Sequence, residues 1–218
     1  MEQKKKDSNR DAYPILVVGI GPGSKDYVLP AALRAIASAD ILVGGRRALA
    51  DYAREEQEQI VIGADIEAVL HGIDEARQRA RVVVLVSGDP GYFSLLDALK
   101  RRFLDEPIEV IPGISSLQMA FSRLAIPWHE AKFLSFHGRT PSDAVLAYEE
   151  GAVLGLLTDA KQNSKTIPEK LLSLGWKREA KLYILSRLSY EDESIIETTL
   201  GEAVELPAVS HGILVVCA

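Results

Sequence analysis

The chain has 218 residues, of which 47% are hydrophobic and 26% charged, with a formal net charge of −6. This composition predicts a folded protein with one large or two small apolar cores, and it excludes a disordered chain. The acidic balance argues against a general nucleic-acid-binding protein, so we expect no nucleic-acid partner.

The chain contains one cysteine, Cys217, which rules out an internal disulfide and a multi-thiolate metal site and is typical of a reducing compartment. No apolar run approaches the roughly 20 residues of a membrane span. Residues 1–12 are charged and lack the apolar segment of a signal peptide. We therefore expect a cytoplasmic protein that does not bind a membrane, with residues 1–12 as a disordered leader.

Short apolar runs alternate with helical patterns through the first half of the chain. Five runs lack polar alternation, as do strands buried on both faces of a sheet: residues 15–20, 41–45, 59–63, 82–88 and 108–113. The segments between them have apolar residues at three-to-four spacing, which is typical of helices. This series predicts an amino-terminal α/β domain with a parallel, Rossmann-like sheet over residues 13–126.

The pattern changes at Pro127, after which strand-like runs outnumber helices. These runs lie at residues 132–138, 152–158, 181–188, 194–200 and 212–218. They predict a separate carboxy-terminal α/β domain with a mixed sheet over residues 127–218, joined by a linker near residues 125–131.

A glycine-rich loop, GIGPGS (19–24), follows the first predicted strand. A dinucleotide fingerprint would have Gly or Ala at Ser24, and Pro22 removes one amide donor from the loop. We expect the next helix to begin near Pro30, too far along for its dipole to meet a phosphate held by the glycines. The loop is best interpreted as a wall against which a ligand approaches the backbone closely. An NAD-linked oxidoreductase site and a purely structural turn are the alternatives.

Two further strand ends carry Gly or Pro with small polar residues: SGDPGYF (87–93) and IPGISSLQ (111–118). Asp89 either faces a ligand or caps the next helix, and the same choice applies to Ser115 and Ser116. Because ligands bind at the carboxyl ends of parallel strands, the recurrence of this pattern at three ends favours a binding role.

Basic residues at other strand ends are candidates for binding an anionic ligand. His137 and Arg139 flank a glycine in SFHGR (135–139), and arginine suits bidentate recognition of carboxylates. Arg46 and Arg187 are further candidates, and a solvated surface turn is the alternative for each. HExxH, GxxxxGK[ST], GxSxG and Cys/His metal spacings are missing from the sequence, so we predict no protein metal site.

As a set, VGIGPGS, SGDPGYF and IPGISS resemble the tetrapyrrole methylase family, and the resemblance covers about residues 13–218. The segments SFHGR, LLTD, LSRLS and ESIIETTLGEA resemble the branch that methylates carbon 5 of a cobalt-containing corrin precursor in cobalamin biosynthesis. The resemblance implies S-adenosylmethionine as cofactor, a corrinoid (tetrapyrrole) substrate, an active site in a cleft between two α/β domains, and a homodimer. It also implies a separate C15-methyltransferase/decarboxylase that acts on the same pathway.

Carried over by position, the resemblance assigns two sets of site residues. The cofactor is expected to contact Pro22, Gly88, Asp89, Pro90, Phe93, Ser115, Ser116, Thr158, Ser186, Arg187, Leu188, His211 and Gly212. The substrate is expected to contact Gly21, Arg46, His137 and Arg139.

No catalytic residue is assigned, because the methyl donor is already electrophilic and the reduced macrocycle is electron-rich, so positioning supplies the rate enhancement. Alternatives within the family are methylation at another corrinoid position, and diphthine-synthase or ribosomal-RNA methyltransferase activity. Outside the family they are the oxidoreductase and a non-catalytic binding protein.

Overall fold

The computed structural model describes residues 12–218, and the leader expected at residues 1–12 lies almost entirely outside this range. The described chain divides into two compact units. The first contains residues 12–21 and 25–114, and the second contains residues 22–24 and 115–218.

The first unit is a five-stranded parallel sheet with helices between the strands. Its elements are β1 (Ile15–Gly19), α1 (Pro30–Ala37), β2 (Ile41–Gly44), α2 (Arg46–Tyr52), β3 (Glu58–Val61), α3 (Ile66–Arg77), β4 (Val82–Val86), α4 (Leu96–Arg102) and β5 (Ile108–Ile111). The strand order is β3-β2-β4-β1-β5. The parallel Rossmann-like sheet predicted from the sequence is confirmed.

The side chains of the central strand β4 alternate between two apolar cores. Val82, Val84 and Val86 pack in one core with residues of α3 and α4. Val83 and Leu85 pack in the other with residues of α1 and α2. Helices therefore cover both faces of the sheet, which is why β4 has no polar alternation.

Burial on both faces holds for β1, β2 and β4 but not for all five strands. The edge strands β3 and β5 are partly exposed, with Val61 41% and Val110 44% accessible. The expectation of five fully buried strands was therefore wrong at the two edges, because an edge strand has a neighbour on one side only.

The second unit has a mixed five-stranded sheet. Its elements are α5 (Ser116–Leu124), β6 (Lys132–Ser135), α6 (Asp143–Leu146), β7 (Val153–Leu157), α7 (Thr166–Ser173), β8 (Lys181–Ser186), β9 (Ser194–Thr199), α8 (Leu200–Ala203) and β10 (Ile213–Cys217). The order is β6-β7-β10-β8-β9, in which β6 and β7 are parallel and the other neighbours antiparallel. The mixed sheet predicted for this half is confirmed.

The division of the chain falls before α5. The sequence placed the boundary after this helix, at residue 126, where the composition changes. Helix α5 contacts β7 and β10, and a Cβ added at Gly155 would lie 3.0 Å from the side chain of Leu117. The helix therefore belongs to the second unit by its packing, which a change in local composition does not report.

A search of residues 12–218 finds no helix with the length and apolar character needed to cross a membrane.

Candidate functional site

The turns that follow β1 and β4 are joined by two backbone hydrogen bonds. The N–H of Gly88 donates to the carbonyl of Gly21 at 2.8 Å, and the N–H of Gly21 donates to the carbonyl of Gly88 at 3.3 Å. Two of the strand ends selected from the sequence are therefore in direct contact, as expected for adjacent parallel strands.

The turn after β5 packs against the turns after β1 and β4. A Cβ added at Gly113 would lie 2.2 Å from the carbonyl oxygen of Gly88, and one added at Gly19 would lie 2.7 Å from the amide nitrogen of Gly113. No side chain fits at these distances, so backbone meets backbone at the ends of β1, β4 and β5. Close packing alone accounts for the glycines at 19 and 113, which is the structural alternative considered for the glycine loop.

Asp89 connects the turns after β4 and β5. One of its carboxylate oxygens accepts the N–H of Gly91 at 2.8 Å, and the other accepts the N–H of Gly113 at 3.0 Å. The next helix, α4, begins at Leu96 and has no side-chain cap, so the alternative that Asp89 caps this helix is wrong. The carboxylate instead fixes the geometry of two neighbouring strand ends.

Phe93 is the exposed aromatic residue of the same turn. The residue is 42% accessible, and its ring meets the ring of Tyr92 edge-on, with 4.6 Å between the ring centroids. Its backbone has a φ of 49°, a left-handed conformation that is uncommon for a bulky residue. The neighbouring Pro90 is buried.

Arg46 lies at another strand end of the same sheet. It is the first residue of α2, directly after β2, and it is exposed. The first unit thus places Gly21, Gly88, Asp89, Phe93 and Arg46 at the carboxyl edge of one parallel sheet.

Ser115 caps helix α5 in the second unit. Its hydroxyl oxygen accepts the N–H of Gln118 at 3.1 Å, and the side-chain oxygen of Gln118 accepts the N–H of Ser115 at 2.8 Å. The capping role proposed for this residue is confirmed, and its O–H can still donate to a ligand. Ser116 is the first residue of the helix.

Thr158 and Gly212 extend the pairing of β7 and β10 beyond the strand ends. The hydroxyl of Thr158 donates to the carbonyl of Gly212 at 3.0 Å and accepts the N–H of Gly212 at 2.8 Å. The threonine is 4% accessible. It therefore shapes the backbone at Gly212 and at the adjacent His211, whose φ is 55°.

Asp159, which no sequence argument selected, holds the turn that carries His137 and Arg139. Its carboxylate accepts the N–H groups of Gln162 at 2.7 Å, Lys161 at 2.8 Å and Gly138 at 3.1 Å. These backbone donors, that of Gln162 first, lower the pKa of Asp159 to about 2, with a smaller contribution from the charge of His137.

The turn anchored by Asp159 brings two histidines together. The ring centroids of His137 and His211 are 6.3 Å apart, and both residues are exposed, as is Arg139. The second unit therefore groups three of its predicted site residues near the ends of β6, β7 and β10.

The guanidinium of Arg187 pairs with a carboxylate of its own loop, that of Asp192. Its Nε donates to Asp192 at 2.9 Å, and its guanidinium lies 4.3 Å from the centroid of the Tyr190 ring. The hydrogen bond to Asp192 raises the pKa of Arg187. Because the side chain is engaged in this way, Ser186 to Leu188 can serve a ligand mainly through the backbone, which has a φ of 55° at Arg187.

A cavity of about 570 Å³ lies elsewhere in the first unit and contains none of the predicted site residues. It is lined by residues near the ends of α3 and α4, including Arg77, whose buried guanidinium pairs with Asp74 and Glu106. The pairing of this arginine fits a structural role.

Comparison with known proteins gives both a sequence match and a fold match. The model of the tetrapyrrole (corrin/porphyrin) methylase family matches residues 14–204. The cobalt-precorrin-7 C(5)-methyltransferase of Salmonella typhimurium is 36% identical over 181 residues, which are 83% of this chain and 88% of that protein.

Two solved structures share the fold. The cobalamin-biosynthesis precorrin-6Y methylase of Archaeoglobus fulgidus has a TM-score of 0.72 at 25% identity, and the match covers 94% of this chain and 97% of that one. The uroporphyrin-III C-methyltransferase of Thermus thermophilus, solved with S-adenosylhomocysteine, has a TM-score of 0.76 at 22% identity, with 93% and 96% covered. The family match over most of the chain and the 36% identical relative show that this protein belongs to the tetrapyrrole (corrin/porphyrin) methylase family.

Proposed function

We propose that this protein is an S-adenosylmethionine-dependent C-methyltransferase that acts on carbon 5 of cobalt-precorrin-7, a corrin-ring precursor, in cobalamin biosynthesis. The observation that carries the proposal is the 36% identity, over 83% of this chain, to the Salmonella typhimurium enzyme of that name. The candidate residues of the first unit lie at the carboxyl edge of its parallel sheet, which is consistent with ligand binding because open α/β sheets bind ligands at that edge.

The residues assigned to the methyl donor in the first unit fit a sulfonium compound. Gly88, Asp89, Pro90 and Phe93 present backbone groups, one carboxylate and one exposed aromatic ring, and none of them is basic. A carboxylate and an aromatic face are both compatible with a nearby cation. Pro22 is also assigned to the donor by position, and it lies in the second unit.

In the second unit, the residues assigned to the methyl donor offer small hydroxyls and backbone groups. Ser115 and Ser116 lie at the start of α5, where backbone N–H groups face outward. Thr158 fixes the backbone of Gly212 and His211, and the segment Ser186 to Leu188 offers backbone groups in a loop held by the Arg187–Asp192 pair. Neutral groups of this kind suit an amino-acid and nucleoside ligand that must be gripped closely.

The residues that we propose for the substrate are suited to binding the carboxylates of a polycarboxylate macrocycle. Arg139 can bind a carboxylate with two parallel hydrogen bonds, and His137 can add another donor. Both lie on the turn that Asp159 holds. Arg46 is a third candidate, and Gly21, which is buried and paired with Gly88, is assigned to the substrate by position only.

When bound, S-adenosylmethionine supplies an electrophilic methyl group on a positively charged sulfur. The residues assigned to the donor and to the substrate would orient the two molecules for transfer, in which the methyl carbon bonds to the ring carbon as its bond to sulfur breaks and S-adenosylhomocysteine is released. Asp89 contributes by fixing the turns after β4 and β5. We assign no general base, and a proton released on methylation leaves to solvent or to a peripheral side chain.

We further propose that the protein works in the cytoplasm as a homodimer, and that a separate C15-methyltransferase/decarboxylase acts on the same pathway. Analytical ultracentrifugation tests the dimer, and a sedimentation coefficient of a monomer at all concentrations would contradict it.

The test of the proposed reaction is methyl transfer from labelled S-adenosylmethionine to a panel of corrinoid intermediates, with the label located by mass spectrometry and NMR. We expect label at carbon 5 of cobalt-precorrin-7. Label at another carbon would assign a different activity within the family. A fluorescence increase with NADH, without binding of S-adenosylhomocysteine, would replace the proposal by an oxidoreductase.

A further inference from the structure

A series of hydrogen bonds within the second unit connects Ser24, in the part of the glycine loop that belongs to this unit, to the end of helix α5. The N–H of Ser24 donates to the hydroxyl oxygen of Ser189 at 2.9 Å. The N–H of Ser189 donates to the carboxylate of Glu193 at 2.6 Å. The other oxygen of Glu193 accepts Nε of Arg123 at 2.7 Å. The hydrogen bonds run through the side chains of Ser189, Glu193 and Arg123, and Ser24 and Ser189 are 165 positions apart in the sequence.

The ion pair between Glu193 and Arg123 is partly shielded from solvent. The side chain of Glu193 is 20% exposed and that of Arg123 is 31% exposed. The hydrogen bond from Arg123 lowers the pKa of Glu193, so the carboxylate stays ionised and remains an acceptor at neutral pH. Glu193 therefore holds Ser189 with a charge-assisted hydrogen bond, which is stronger than a neutral one.

The backbone of Ser189 shows that it is held in place. Its φ of 69° lies in the left-handed region, which a serine seldom occupies without support. Its N–H is bound by Glu193 and its side chain by Ser24, so both ends of the residue are fixed. Loss of the Glu193 acceptor would allow Ser189 to return to an ordinary conformation and would withdraw its hydroxyl from Ser24.

Gly23 of the same loop lies against Tyr190, the residue after Ser189. A Cβ added at Gly23 would lie 2.3 Å from the ring of Tyr190. That ring lies against the guanidinium of Arg187, and the N–H of Tyr190 donates to the carbonyl of Arg187 at 3.0 Å. The loop of residues 22–24 is thus seated on Ser189 and Tyr190, whose own positions depend on Glu193 and Arg187.

We propose that Glu193 is a positioning residue for binding of the methyl donor, acting through Ser189 to hold the loop of residues 22–24. The donor part of this inference rests on the proposed function, in which Pro22 contacts S-adenosylmethionine. Glu193 itself touches no ligand. Its effect is to keep one conformation of the loop populated before the ligand arrives, so that binding does not have to order it.

The segment of residues 189–193 provides three variants and a matched control. Glu193→Ala removes the acceptor. Glu193→Gln keeps an amide oxygen that can accept from Ser189, and Ser189→Ala removes the hydroxyl that holds Ser24. Glu191→Gln is the control, because Glu191 lies in the same loop and is exposed.

Hydrogen exchange in the unliganded protein tests the connection without any ligand. In Glu193→Ala we expect the amide of Ser24 to exchange roughly tenfold faster, while the amide of Leu214 in the core of the same unit is unchanged. Acceleration at both amides would indicate general loss of stability and would overturn a positioning role. Unchanged exchange at Ser24 would overturn the connection itself.

Calorimetric titration with S-adenosylhomocysteine tests the functional consequence. We expect the Kd to rise about tenfold in Glu193→Ala, to be partly restored in Glu193→Gln, and to stay at the wild-type value in Glu191→Gln. The double variant Glu193→Ala/Ser189→Ala should have a Kd no higher than that of the single variant with the higher Kd, because both substitutions act on one contact. Additive losses would contradict a route through Ser189.

Failure of the inference can be told apart from failure of the proposed function. If the wild type does not bind S-adenosylhomocysteine, the proposed function and the donor part of the inference are overturned together. If the wild type binds and Glu193→Ala binds equally well, only the inference is overturned.

Discussion

The carboxylate of Asp89 accepts the N–H of Gly113 at 3.0 Å, which ties the turn after β4 to the turn after β5. The same carboxylate accepts the N–H of Gly91, so one side chain sets the relative position of two turns that no strand pairing joins directly.

Replacement of Asp89 tests this connection. Asp89→Ala leaves the N–H groups of the exposed Gly91 and the half-buried Gly113 without this acceptor, and a hydrogen bond of this kind contributes about 0.5–1.5 kcal/mol. We expect a lower melting temperature and a Kd for S-adenosylhomocysteine at least tenfold higher, measured by calorimetry. Asp105→Ala, at an exposed residue of the same unit, is the control. Wild-type affinity in Asp89→Ala would count against its role in donor binding.

Replacement of Gly113 tests the backbone contact between strand ends. In Gly113→Ala the new methyl group would meet the carbonyl oxygen of Gly88 at 2.2 Å, and backbone cannot move aside as a side chain can. We expect a loss of stability of about 3 kcal/mol or more, read from urea unfolding. Gly63→Ala is the matched control, because a Cβ there meets no atom within 4 Å. Equal stability of the two variants would refute the contact.

Arg139 is expected to affect the substrate and not the donor. Arg139→Ala should raise the KM for the corrinoid roughly tenfold, with little change in the Kd for S-adenosylhomocysteine, because a carboxylate would lose a bidentate partner. Arg139→Lys should recover part of the loss, since lysine keeps the charge but not the fork. Arg101→Ala, an exposed arginine of α4, should behave as wild type. An unchanged KM in Arg139→Ala would remove this residue from substrate recognition.

Asp159 should make the free energy of unfolding depend on pH in the acidic range. Its pKa is about 2 in the folded protein and 3.8 without the fold, so its contribution to stability is complete above pH 4 and is lost as the pH falls toward 2. Asp159→Asn cannot accept from all three N–H groups, so it should be less stable than wild type at pH 7. The difference in urea midpoint between the two proteins should shrink as the pH is lowered from 5 to 2.5. A constant difference would contradict the depressed pKa.

Local patterns in the sequence predicted much of the fold. The apolar runs located the ten strands found in residues 12–218, and Pro30 marked the start of α1. The glycine turns identified the edge of the first sheet where strand ends meet, because Gly and Pro punctuate the chain at those points. Features of this kind depend on residues that are neighbours in sequence.

The connections between distant residues could not be predicted in the same way. Asp89 was selected, but its partner Gly113 lies 24 positions away. Asp159 and Glu193 were not selected, because a carboxylate that binds backbone N–H groups looks in sequence like any polar loop residue. The affiliation of α5 was missed for the same reason, since packing against β7 and β10 leaves no mark on local composition.

The contact of backbone with backbone at Gly19, Gly88 and Gly113 has a consequence for ligand selectivity. Gly19 is buried and Gly113 half-buried, and a Cβ added at them would lie 2.6 Å and 2.2 Å from the carbonyl oxygen of Gly88. Because main chain occupies this place, no substitution at Gly19 or Gly113 can reshape it without moving backbone. If Phe93 contacts the methyl donor as proposed, attempts to make the protein accept enlarged donor analogues should therefore begin at this exposed residue and leave the three glycines untouched.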